Sequence, residues 1–305
     1  MKDNEKGEPE KTKGKVHLVL GSGGARGIAH IAVIEELEKA GYEIIEVIGC
    51  SMGAVVGGIY AAGHLKDYKE WILNLNKKAV FDLLDFTFAK QGFVKGEKLF
   101  AKHVEVTGQE QIDEFPIPFT AVATDMRHHK EVHFTKGDLY KALRASVSIP
   151  GFFVPVVEDG MVLVDGGVLN PLPINLVKKQ EEAIIVAVNL NGKPDQKFNK
   201  KPKTEPDTLD EVQKWFNKVL PDSMKSKSKT KQKAELPAKE ESFSLIELMD
   251  STFSFTQDRL TDLMIEMYKP DHLIDIPRNA CGVFDFDQGK RVYDIGKNSY
   301  QKVLG

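Results

Sequence analysis

VHLVLGSGGARGIAHIAVIEELEKAGYEIIEVIGCSMGAVVGGIYAA, residues 16–62, is the stretch that decides the fold class. Val16–Leu20 is a short apolar run leading straight into Gly21–Gly27, and reads as a buried strand entering a glycine loop. Ile28–Ala40 then carries Ile31, Ile34 and Leu37 at helical spacing, with Glu35, Glu36 and Glu38 toward water and Gly41 as the stop. Ile44–Ile48 is a second strand, and Ala54–Ala62 a helix of small apolar residues. Strand, helix, strand and helix in such quick succession predict an α/β fold, a mostly parallel sheet covered by helices.

Farther along, Phe119–Ala123, Val162–Val164 and Ala183–Val188 suit buried strands. Leu139–Ala145 predicts a helix closed by the Ser148-Ile149-Pro150-Gly151 turn. Order is expected to resume at Phe243 with a helix through Tyr268, a strand over His272–Ile276 and an amphipathic helix from Phe286. The segment 193–241 differs in kind: it is rich in Lys and Pro, and 225–233 reads KSKSKTKQK. It cannot bury enough apolar area to offset its ordering entropy, so it reads as a flexible surface insertion with a transient helix over Leu209–Leu220. Residues 1–15 read as a disordered leader, and 16–305 as one domain around that insertion.

With 305 residues the chain can bury a full-sized core. A hydrophobic content of 41% and a charged content of 29% are those of an ordinary globular protein. The net charge of -3 gives no general pull toward nucleic acid or an anionic membrane. Cys50 and Cys281 form neither a disulfide framework nor a zinc site, and their scarcity suits a reducing compartment. No apolar stretch near the start serves as a signal peptide, and no run is long enough to span a membrane. The expectation is a cytoplasmic protein without a nucleic-acid partner.

The chemistry centres on three motifs. Gly49-Cys50-Ser51-Met52-Gly53 matches G-x-S-x-G between a predicted strand and a predicted helix, where a nucleophilic serine sits on a tight turn and small residues flank it. The helix that follows aims its N–H groups and positive dipole end at the reacting centre. Gly21-Ser22-Gly23-Gly24-Ala25-Arg26-Gly27 fails as a dinucleotide fingerprint, because position 26 is Arg in one frame and position 22 is Ser in the other. It reads better as an oxyanion hole built from the backbone N–H groups of Gly23, Gly24 and Ala25. Arg26 is open to two readings, a partner for a lipid phosphate or a local salt bridge.

A serine needs a base. No histidine has a motif around it: His272 heads an apolar strand, His128, His129 and His133 lie in a polar hairpin-like stretch, and His30 reads as a packing residue. What does emerge is Asp165-Gly166-Gly167, an acid ending a buried strand where two glycines let the backbone turn sharply. Burial there would raise the Asp165 pKa toward a useful value for a base.

Together GSGGARG at 21–27, GCSMG at 49–53, RASVSIPGFFVPV at 144–156 and DGG at 165–167 resemble the patatin-like phospholipases, a family that includes the neuropathy target esterase catalytic domain. The resemblance covers Val16 to Leu190, and FDFDQG near the C-terminus also looks familial. It implies a three-layer α/β/α sandwich and metal-independent ester hydrolysis, without a cofactor, on acyl-lipid substrates. Carried over, Ser51 is the nucleophile and Asp165 the general base of a dyad without histidine. Gly23, Gly24, Ala25, Arg26 and Gly27 form the oxyanion-hole region, Arg26 ordering the loop, while Gly49, Gly53, Gly166 and Gly167 shape the two turns. The departure is Ser22, where many members have glycine; backbone donors tolerate this unless Ser22 needs a positive φ.

Phe152, Phe153 and the Phe81–Phe88 region are candidate walls of an acyl groove and equally plain core. A second reading is a membrane-associated regulatory or scaffold protein with little catalysis, tethered by the lysines of 225–233.

Overall fold

The computed structural model describes residues 12–87, 94–198 and 245–305. The expected leader up to residue 11, the lysine run at 225–233, the Leu209–Leu220 helix and Phe88 lie outside the described residues.

β1 (Gly14–Leu20) opens two residues before the apolar run, because Gly14 already pairs with Tyr42. It is followed by α1 (Ile28–Lys39), β2 (Tyr42–Cys50) and α2 (Met52–Ala61), the expected alternation with β2 longer at both ends. Three helices not anticipated come next: α3 (Leu65–Leu73), α4 (Lys77–Leu83) and α5 (Glu97–Thr107). β3 (Phe119–Asp125), β4 (Lys130–Phe134), α6 (Leu139–Ser146), β5 (Val156–Glu158), β6 (Met161–Asp165) and β7 (Ala183–Gly192) continue the chain. α7 (Leu245–Tyr268), β8 (His272–Pro277) and α8 (Gly289–Val303) complete it.

The sheet runs in the order β5-β6-β3-β2-β1-β7-β8, with β4 also paired to β3. Its centre, β3-β2-β1-β7-β8, is parallel; β4, β5 and β6 form antiparallel pairs. β1 shows why this is a three-layer sandwich. Val16, Leu18 and Leu20 join the large cluster with residues of α1, α2 and α8, whereas Val19 joins Leu172, Ile174, Ile185 and Ala187 against Met264 and Ile265 of α7. A strand buried on both faces is apolar throughout, as Val16–Leu20 is apart from His17. Each aliphatic side chain so buried contributes about 1.5–3 kcal/mol.

The register also places the site. β2 and β4 both bond β3 at Ala121 and Val122, so they occupy its opposite edges. β6 and β4 likewise share Ala123–Asp125, so β6 lies on the β2 edge and takes over where β2 stops. Cys50 pairs with Val122 and Asp165 with Ala123. The residue leaving β2 and the residue ending β6 therefore meet head-on along one edge of β3.

Candidate active site

Ser51 is the residue that leaves β2. It sits at φ 54° and ψ -123°, a conformation that a side-chain-bearing residue adopts only under local compulsion, and α2 starts at the next position. The compulsion is close packing of backbone on backbone. A Cβ on Gly53 would lie 2.1 Å from Leu20 O, and one on Gly49 would lie 2.4 Å from Gly53 O. Glycine at these two positions lets α2 press against the end of β1 and turns the chain back over itself.

Asp165 meets Ser51 as the register requires: Ser51 Oγ donates to Asp165 Oδ2 at 2.6 Å. The other carboxylate oxygen accepts from Gly167 N–H at 2.7 Å. Both residues are buried, and burial pushes the Asp165 carboxyl up from 3.8 to about 6 against the pull of these two hydrogen bonds. Such an acid is mostly ionised near neutrality yet basic enough to accept a proton. Gly166 leaves no room for a side chain, its Cβ position being 2.3 Å from Val122 O, and Gly167 lies beneath the Gln257 side chain of α7.

Ser146 went unrecognised in the sequence although it lies in the quoted RASVSIPG run. Its hydroxyl accepts from Ser51 N–H at 2.9 Å and donates to Val122 O at 2.6 Å. Two residues on, Ser148 O accepts from Asp165 N–H at 2.9 Å. The end of α6 thus fastens both halves of the pair, and the only signal in the sequence was a serine just before a proline turn.

The glycine loop lies beside them, with Gly24 and Ser51 facing one cavity. Gly24 has φ 57°, and a Cβ there would strike Val283 O at 2.4 Å. One expectation requires correction. Ala25 N–H does not face the cavity, because it donates to Val283 O at 2.8 Å. Among the described residues no acceptor meets the N–H of Gly23 or Gly24. The buried guanidinium of Arg26 donates to Leu190 O at 2.9 Å, Asn191 Oδ1 at 3.1 Å and Cys281 O at 3.2 Å, which ties the loop to the end of β7. Gly27 packs against Met52, its Cβ position 2.5 Å from the Met52 Cβ. Ser22 has no positive φ, so the serine at that position is compatible with the loop.

None of the histidines joins the pair. His30 is buried with Nε2 on Gly21 O at 3.0 Å, and burial lowers its pKa to about 4. His128 bonds Asp125 and His133 bonds Glu131. His272 begins β8, three strands across the sheet from β2.

From Ser51 the cavity extends between apolar side chains of α2 to α5 and the loops after α6 and β8. Phe152 and Phe153 line it as anticipated, and Phe284 of the FDFDQG segment stacks on Phe152 with ring centroids 4.1 Å apart. Val80, Leu83 and Leu84 supply the wall assigned to the Phe81–Phe88 region. A serine hydroxyl bonded to a buried carboxylate and lining an apolar cavity is the kind of arrangement that acyl transfer uses. No helix among the described residues is long and apolar enough to cross a membrane.

A family model described as patatin-like phospholipase matches residues 18–178. An NTE family protein of Mycobacterium tuberculosis is 32% identical over 327 aligned positions, covering 93% of this chain and 89% of that protein. Lysophospholipase NTE1 of Yarrowia lipolytica is 32% identical over 186 positions, covering 58% of this chain and 13% of the larger protein. VipD from Legionella pneumophila, a solved structure, aligns with a TM-score of 0.48 at 14% identity over 95% of this chain and 66% of its own. The matched span holds the glycine loop, Ser51 and Asp165 alike, and the mycobacterial likeness runs nearly end to end: the chain belongs to the patatin-like phospholipase family of carboxylic ester hydrolases.

Proposed function

We propose that this lipid hydrolase cleaves carboxylic esters of phospholipids or lysophospholipids through a Ser51–Asp165 dyad and an acyl-enzyme intermediate. The 2.6 Å hydrogen bond between the Ser51 hydroxyl and a buried carboxylate carries the reading. Ser51 Oγ attacks the ester carbonyl while its proton passes to Asp165 Oδ2. The oxyanion faces the N–H groups of Gly23 and Gly24 and the N-terminus of α2, each such donor lowering the barrier by about 3 kcal/mol. Protonated Asp165 then gives its proton to the departing alcohol. In the second half, Asp165 takes a proton from water, which attacks the acyl-serine carbonyl; the acid leaves and Ser51 Oγ recovers the proton.

The apolar channel supports a long acyl chain, and the fungal relatives named as lysophospholipases support a glycerolipid ester. Peripheral contact with a lipid surface belongs to this reading, since a phospholipid must be lifted from its bilayer to reach a buried serine. A fluorophosphonate probe and a medium-chain p-nitrophenyl ester, offered without added metal, test the proposal. Wild type should label and turn over, Ser51→Ala should do neither, and Asp165→Asn should lose about a thousandfold or more in kcat. Folded wild type that neither labels nor turns over would favour the regulatory or scaffold role instead.

A further inference from the structure

The dyad and the wall of the cavity are joined through the side chain of Arg144, on the last turn of α6. On one side Nη1 donates to Ser148 Oγ at 2.5 Å, and that hydroxyl donates back to Arg144 O at 2.7 Å. The ring so formed fixes the backbone just past α6, where Ser148 O receives the Asp165 N–H. On the other side Nε and Nη2 donate to Lys95 O at 2.9 and 2.5 Å, and Nη2 also donates to Val154 O at 2.7 Å. These two carbonyls flank a short ladder in the wall: Val94 N–H donates to Phe152 O at 3.0 Å, and Val154 N–H to Val94 O at 2.9 Å. The guanidinium lies over the Phe153 ring, 5.4 Å from its centroid. Gly96 leaves room for it, since a Cβ there would lie 3.0 Å from Nε. The turn it grips also starts α5, with Asp85 accepting from Gly96 N–H at 2.6 Å and from Glu97 N–H at 2.8 Å.

We propose that Arg144 is a positioning residue for hydrolysis, holding Asp165 in register with the wall against which the acyl chain lies. This deepens the Ser51–Asp165 reading and rests on it. The geometry suits a guanidinium. Its planar fork donates to Lys95 O, Val154 O and Ser148 Oγ at once, whereas a lysine ammonium is a point charge on a flexible stem. Bonds from a charged donor are also the stronger ones, which makes the link stiff. Stiffness matters here because the ester carbonyl must meet Ser51 while its chain is held by Phe153 and its neighbours. A misplacement of about 1 Å between the two costs about a hundredfold in rate. Arg144 touches neither substrate nor reacting atoms: it acts through Ser148 and Asp165 at one end and through Lys95 and Val154 at the other.

The test uses Arg144→Met, Arg144→Lys and Ser148→Ala on p-nitrophenyl esters of short and long chains. Active sites are counted by fluorophosphonate labelling, so that kcat refers to competent protein alone. In Arg144→Met kcat per site should fall by about tenfold to a hundredfold, with smaller losses in Arg144→Lys and in Ser148→Ala, which keeps the Ser148 carbonyl. The acidic limb of kcat/KM should move down from about 6 toward 3.8 as water reaches Asp165, and the preference for long over short chains should shrink. A merely structural arginine would lower the number of labelled sites and leave the limb, the preference and kcat per site at wild-type values; that result overturns the proposal. Should Arg144→Met fail to fold, the two milder variants decide by the same readouts. Amide hydrogen exchange reads the link without chemistry: the Asp165 N–H should exchange about tenfold faster in Arg144→Met or Arg144→Lys while the β1 amides keep their wild-type rates. If wild type cleaves esters through Ser51 and the variants match it per site, the role of Arg144 falls and the hydrolase stands. If no ester is cleaved while exchange at Asp165 quickens, the hydrolase reading fails and the link from Arg144 to Asp165 survives it.

Discussion

The edge of β3 where Ser51 meets Asp165 and the wall formed by α3, α4 and α5 are built on opposite principles. At the sheet edge the contacts are backbone on backbone: Gly53 against Leu20 O, Gly166 against Val122 O, Ala25 N–H on Val283 O. Positions there are dictated to a fraction of an ångström, and few residue types are admissible. In the wall the contacts are side chain on side chain, with Tyr68, Trp71, Leu99 and Val80 lining the cavity from α3, α4 and α5. The proposed chemistry belongs to the rigid half, and the proposed chain recognition to the half whose side chains can change without moving the backbone.

The largest effect that tests this contrast is expected at Gly53. Gly53→Ala would put a methyl 2.1 Å from Leu20 O, which cannot retreat without breaking β1 from its neighbours. A loss of about 4 kcal/mol or more, seen as a collapse of the denaturation midpoint or a failure to fold, is the expected outcome. Near-wild-type stability would mean that the turn is softer than its geometry states.

Asp165 comes next. Its carboxyl releases its proton at about 6 in the folded chain and near 3.8 when unfolded. Below both values the two states are equally protonated. As pH rises through this window the unfolded chain ionises first, so stability falls until about 6 and then levels, at a cost of about 3 kcal/mol. Asp165→Asn should therefore unfold at a higher temperature than wild type above pH ~7, the advantage shrinking toward pH ~4. In wild type the same titration should appear as kcat/KM falling below pH ~6, because protonated Asp165 cannot accept from Ser51. Stability curves of the two proteins that run parallel throughout would show that burial does not perturb this acid.

The smallest effect belongs to the wall. Val80→Phe adds bulk to the cavity from α4 while leaving β2 and β6 untouched. The kcat/KM ratio of long-chain to short-chain esters should drop several-fold, with a stability cost of about 1–3 kcal/mol. Equal losses for both chain lengths would instead couple the wall to the dyad.

The same contrast explains what the amino-acid pattern discloses. Val16–Ala62 reads correctly, strand for strand, because glycines and buried parallel strands leave a local mark: apolar runs stopped by turns. The Leu65, Tyr68 and Ile72 spacing of α3 is equally helical, yet nothing in it tells a core-facing ring from one lining a cavity. The short β5 has no signature in Val156-Val157-Glu158 beyond three residues that any loop could hold. The glycine loop reads as a set of N–H donors, but Ala25 loses its donor to Val283 and Arg26 its charge to Leu190, Asn191 and Cys281. Those partners lie more than a hundred residues away in the chain and leave no trace near residue 25.

By itself the sequence determined the class of fold and singled out Ser51 and Asp165 as the candidates for chemistry, because a serine on a glycine turn and an acid before two glycines are constraints on the local backbone. Only the tertiary structure decided that β6 continues the β2 edge of β3, so that Asp165 faces Ser51 at 2.6 Å. It also decided that burial raises this acid to about 6 and that Ser146 holds the Ser51 amide. Desolvation and hydrogen-bond satisfaction are sums over neighbours brought from distant parts of the chain, and they exist only once the chain has closed around them.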